Sequence, residues 1–201
     1  MKKFLVGMVT AAIFFAPSVT FAEDEIEVPE DIYKWVHSTS RGNYYFNYQQ
    51  MGYRVKYDGT LDLNTLMVPT ICTYDDIQIQ DVIQKRRWRK LSTKGYEILA
   101  GRADYLRFDL TRGTVQVVRR VDLDNTFTEL DSDNSGQPVS LSELSNQDIA
   151  CKFYRAILKW AKENHDVMVK RSRGKLSIRD SKRKFEDMPL YKIKLPGEEQ
   201  D

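Results

Sequence analysis

Apolar and polar residues alternate with a period of two at several places along the chain, the signature of strands with one buried face. Tyr44, Phe46 and Tyr48 alternate with Tyr45 and Asn47, and Ile32 to Val36, carrying Trp35, reads as a strand ahead of them. Tyr53 to Tyr57 and Thr60 to Leu63 flank Asp58-Gly59, which supplies the positive backbone angles of a two-residue turn, so a hairpin is expected there. A second hairpin is expected where Leu106, Phe108 and Leu110 face one way and Tyr105, Arg107 and Asp109 the other, before Thr111-Arg112-Gly113 and the run Thr114 to Val121. Met67 to Thr73 is also apolar, but Pro69 has no amide hydrogen and belongs at a sheet edge, a bulge or a strand start.

Two segments carry a longer period. Ile77 to Arg87 suits a helix, because Asp75-Asp76 lead it, Ile79, Val82 and Ile83 share a side and bases close it; Ile77, Ile79 and Ile83 would equally serve a strand. Ile149, Phe153, Ala156, Ile157, Trp160 and Ala161 fall in one stripe at the helical period, widened by Cys151, Tyr154 and Leu158. Ser145 with Asp148 three residues later resembles the capping box of that helix. Leu130 to Ser142 reads as a polar connection, and Tyr191, Ile193 and Leu195, alternating with Lys192 and Lys194, as a final edge strand. The fold expected is α+β: a mostly antiparallel sheet with one long amphipathic helix, Ile149 to Ala161, packed on it. Burial of such side chains contributes roughly 1.5–3 kcal/mol apiece, which puts Trp160→Ala and Phe153→Ala among the most damaging substitutions.

The amino terminus follows a different logic. Met1-Lys2-Lys3 is basic, Phe4 to Ala16 is almost wholly apolar, and Thr20 and Ala22 are small residues at the positions a signal peptidase reads, so residues 1–22 are expected to be a cleaved secretory signal. The apolar run falls short of the roughly 20 residues of a membrane span, and none comparable follows it. The expected product is soluble, periplasmic or secreted, with one α+β domain over 23–168 and a basic tail over 169–201. Lys2 and Lys3 leave with the signal, which takes the 31 basic residues to 29, equal to the 29 acids, and removes any global argument for nucleic-acid binding. With 6 prolines and 10 glycines in 201 residues, disordered and collagen-like classes are excluded.

Charge is segregated along this neutral chain. Lys85 to Arg120 is basic, Asp122 to Asp148 holds acids without a base, and Lys170 to Lys184 is basic again. Opposite segments can fold against each other. The last stretch, Lys170, Arg171, Arg173, Lys175, Arg179, Lys182, Arg183 and Lys184, could instead meet a polyanionic partner in the envelope or on a host. Tyr33, Tyr44, Tyr45, Tyr48, Tyr53 and Tyr57 are dense enough that one alternating set, with Tyr44, Tyr45 and Tyr48 as its centre, could form an outward contact surface; core packing is the other reading.

Catalytic chemistry is poorly represented. His37 and His165, the latter expected to be held charged at a helix end, have no Cys beside them, and no nucleophile elbow, phosphate loop or metal-spaced cluster occurs, so no catalytic residue, metal or cofactor is assigned. Asp131 to Gly136 begins like a calcium loop but departs from it at Pro138 and Ser142, which leaves a solvated polar loop. Cys72 and Cys151 could bridge in an exported protein or stay as two buried free thiols, and both readings stay open.

The order Trp35, Tyr44-Tyr45-Phe46-Asn47, the Asp58-Gly59 hairpin and the Tyr105–Val121 hairpin resembles the small exported β domains of the surface-adhesin protein E-like group. The resemblance implies a compact sheet with a helix and, in some members, binding to host proteins; it supplies no functional residues. The function expected is non-catalytic, adhesin-like binding at a bacterial envelope, the alternatives being a periplasmic hydrolase with a carboxylate-based site and a structural envelope component with an open sheet edge.

Overall fold

The computed structural model describes residues 26–134 and 136–194; the signal expected over residues 1–22 lies outside the described residues, as does Leu195. The strands are β1 (Tyr33–Thr39), β2 (Gly42–Asn47), β3 (Gly52–Val55), β4 (Leu61–Thr73), β5 (Leu99–Asp109), β6 (Thr114–Asp124), β7 (Glu129–Asp133) and β8 (Val139–Ser140), and the helices α1 (Asp76–Trp88), α2 (Ile149–Glu163), α3 (His165–Arg171) and α4 (Pro189–Lys192). All strands join one antiparallel sheet in the order β1-β2-β4-β5-β6-β7, with β3 also beside β4 and β8 also beside β6. The class is α+β, with a large antiparallel sheet and a few helices. Helices form at both segments given the helical period, α1 of 13 residues and α2 of 15, so the fold holds two helices of comparable length and not one long one.

Strand β4 organises the sheet. Along one flank it pairs continuously with β5, and along the other it is shared by two short strands, β3 at Leu61–Met67 and β2 at Thr70–Cys72. Pro69 falls between these two stretches, where no strand pairs with that flank, so its missing amide hydrogen costs no ladder bond on that side. The hairpin from β3 to β4 forms with a turn one residue longer than expected. Lys56 N–H donates to the Thr60 carbonyl and Gly59 N–H to the Lys56 carbonyl, leaving Tyr57-Asp58-Gly59 as a three-residue loop with Gly59 at φ +77°.

Alternation then sorts side chains by face. Leu66, Val68, Leu106, Phe108 and Val115 share one face and form the main core with Phe153, Ile157, Leu158 and Ala161 of α2. A bulge at Ala100 turns Leu99 onto that same face, where it packs with Ile83 of α1 and Tyr96. Both longer helices therefore cover one side of the sheet. Helix α2 begins after Asp148, whose carboxylate accepts from the Ser145 N–H at 2.8 Å, so the expected capping box is a loop clasp instead. Among the described residues no helix is long and apolar enough to cross a membrane.

Two polar segments differ from expectation. Leu130 to Ser142 is not a simple connection: it holds most of edge strand β7 and all of β8. The final edge strand is replaced by the short helix α4, opened by Pro189 at its first turn, and the segment over 169–193 joins the core through Met188, Leu190 and Ile193.

His165 is buried rather than held charged. Its Nδ1 lies 2.7 Å from the Tyr53 hydroxyl, and Phe185 and Tyr191 pack edge-on around the ring. Burial lowers its pKa; the neighbouring Asp166 pulls the other way without reversing this. Burial also lowers the pKa of His37, assisted by Lys152. The unfolded chain therefore binds protons that both folded histidines resist. Stability should be level above neutrality and fall as pH drops through about 6.5, the unfolded histidine value. Urea unfolding at pH 7.5, 6.5 and 5.5 measures this, and the fall should be smaller in His165→Asn.

Candidate functional site

An open cleft of about 910 Å³ lies at the β1 end of the sheet. Cross-strand pairing builds its wall: Trp35 of β1 stands opposite Tyr45 of β2. Helix α2 contributes Trp160, whose ring lies 5.9 Å from that of Tyr48, and the irregular segment from Ile26 to Glu30 supplies Glu27 and Glu30. Two polar ring edges are already engaged. Trp35 Nε1 donates to Ser38 Oγ at 3.3 Å, and the Tyr48 hydroxyl donates to the Asp31 carbonyl at 2.7 Å. Trp35 nevertheless remains 56% exposed, with Tyr45 opposite it across the β1–β2 pair.

The structure divides the expected tyrosine surface. Tyr45 and Tyr48 line the cleft, whereas Tyr44 turns to the helix side, stacked 4.7 Å from His37 and edge-on to Phe153 at 5.7 Å. Tyr53 is core and Tyr57 is fully exposed on its hairpin loop. Trp160, read from sequence as a core residue, is only half-buried, so Ile157 and Leu158 rather than Trp160 occupy the centre of the helix stripe. Sequence reasoning missed that Trp35 and Trp160 line one cleft, which follows only from the packing of α2 against Phe46 and Tyr48.

The basic stretch is partly committed to structure. Arg171 donates to the Met51 carbonyl and lies over the Trp160 ring at 5.8 Å, and Arg183 pairs with Asp180 at 3.4 Å. Lys170, Arg173, Lys175, Arg179, Lys182 and Lys184 remain exposed. Lys175 also ties the stretch to the β3–β4 hairpin, its carbonyl accepting from Leu61 N–H at 2.9 Å.

Comparison with protein-family models, curated proteins and solved structures finds no match. The chain's own geometry therefore carries the functional argument.

A second cleft, of about 530 Å³, lies between α1 and strands β5 to β7. Here the basic and acidic segments of the sequence meet. Arg86 pairs with Asp131 at 2.8 Å and Asp122 at 3.7 Å and covers the Tyr96 ring at 4.1 Å, while Arg120 and Arg102 share Asp104 at 2.7 and 3.2 Å. These charges neutralise one another and dock α1. Asp131, the first residue of the calcium-like sequence, is thus engaged by arginine, and among the described residues no group of His, Cys, Asp or Glu could hold a metal ion. Cys72 on β4 and Cys151 on α2 are both free and buried in this structure; burial pushes the Cys72 thiol pKa up, against nucleophilic use.

Proposed function

We propose that this chain is an exported binding protein of a bacterial envelope and that it holds its partner in the aromatic cleft beside β1. The carrying observation is the convergence of Trp35, Tyr45, Tyr48 and Trp160 from three separate elements on one open concavity, with Trp35 left exposed. Aromatic residues in such settings supply most of the affinity at binding sites. Glu27 and Glu30 also line the cleft, but both are exposed on an irregular segment, which favours binding over the carboxylate hydrolysis alternative.

Capture of envelope components on the immobilised mature chain tests it. Trp35→Ala with Trp160→Ala should reduce capture at least about tenfold, whereas Lys182→Ala with Lys184→Ala should leave it unchanged at high salt. The exposed bases on the 170–184 segment favour a second reading, attraction of a polyanion; in that case salt and the lysine substitutions would abolish capture and the tryptophan pair would not. Export is checked separately: the periplasmic or secreted protein should have Glu23 as its first residue, and an intact precursor confined to the cytosol would refute it.

A further inference from the structure

The aromatic cleft is unevenly supplied with chemistry. Its charged lining residues are Glu27, Glu30 and Lys34, a net negative set, and its apolar lining combines Ile26 and Val28 with the aromatic rings. The polar edges of Trp35 and Tyr48 are spent on Ser38 and on the Asp31 carbonyl, so a ligand meets faces more than hydrogen-bonding edges. An aromatic face carries negative charge density and attracts a cation within about 6 Å. Among the described residues that attraction is used by Arg86 over Tyr96, Arg119 over Tyr105 and Arg171 over Trp160. Trp35, the most exposed ring of the cleft, has no such cation among the described residues.

We infer that the cleft beside β1 is a site for a positively charged alkylammonium group, held against Trp35 and Tyr45 with Glu27 and Glu30 balancing its charge, while Trp160, which already carries Arg171, bounds the far side. The inference rests on the cleft being the binding site proposed above and names its ligand class. An anion would face two carboxylates, and a neutral polyhydroxylated ligand would find the polar edges of Trp35 and Tyr48 already engaged. A cation gains both the ring faces and the two carboxylates, against the opposing charge of Lys34.

The test uses choline and its uncharged carbon isostere, 3,3-dimethylbutan-1-ol. The mature chain carrying Trp88→Phe removes the exposed tryptophan of α1, so that fluorescence reports Trp35 and Trp160. Choline should give a saturable change and the isostere should bind at least about tenfold more weakly. Glu27→Gln with Glu30→Gln should weaken choline about threefold while leaving stability unchanged. Nα-acetyl-lysine methylamide and phosphatidylcholine vesicles then separate the two sources of an alkylammonium group, a protein side chain and a lipid headgroup. Absence of a saturable choline signal, equal binding of the isostere, or indifference to the paired glutamine variant would overturn the inference. If Trp35→Ala with Trp160→Ala still abolished envelope capture after such a result, the cleft would remain the binding site and only its preference for cations would fall.

Discussion

Phe108→Ala should lower the free energy of unfolding by about 3–5 kcal/mol, the largest loss expected from any single truncation in the sheet. Phe108 is 0% exposed, sits between Leu66 on β4 and Val115 on β6, and meets the Tyr154 ring edge-on at 5.6 Å. Its neighbours come from two strands and a helix that hold one another in place, so the space left by the ring cannot collapse cheaply. Trp160→Ala should cost distinctly less, because half-burial leaves less surface to lose and no enclosed cavity. Urea unfolding of the two variants side by side checks the order, with unchanged m-values confirming that stability alone has moved.

Gly42→Ala should destabilise by about 3 kcal/mol and disturb the cleft with the core. A methyl group there would stand 1.8 Å from the Thr73 carbonyl oxygen, and the obstacle is backbone at the end of the central strand, which no rotamer change relieves. The contact is needed because Gly42 opens β2 where it lies against β4, and the Thr39–Gly42 pairing begins the β1–β2 hairpin that carries Trp35. Gly52→Ala is the control: nothing lies within 4 Å of its added atom, and a change within about 0.5 kcal/mol is expected. Thermal unfolding measures both, and Trp35 fluorescence should shift only in the Gly42 variant.

The hairpins and helices were legible where each residue's partner lay nearby in sequence. The Leu106–Val121 pattern found its register because one face is apolar and the other is not, so a slip of one residue would expose the whole set. Strand β7 escaped notice because its alternation is written in charge: Glu129 pairs with Arg119 and Asp131 with Arg86, and both sides look equally polar. The Tyr191–Leu195 alternation misled for the opposite reason. Pro189 starts a helical turn there, and Leu190 and Ile193, three residues apart, reach the core together. Of the candidate site, Tyr45 and Tyr48 could be read from local alternation. Trp160 could not, since only the packing of α2 over the sheet brings it to Tyr48.

The contribution of Leu190 and Ile193 to the same interior as Phe46 and Leu61 sets the order of events during folding. Strands made early must wait for side chains made more than a hundred residues later before their apolar surface is sealed. Closure is therefore a late, long-range step, and the interior stays open along that seam until the segment around residue 193 has docked.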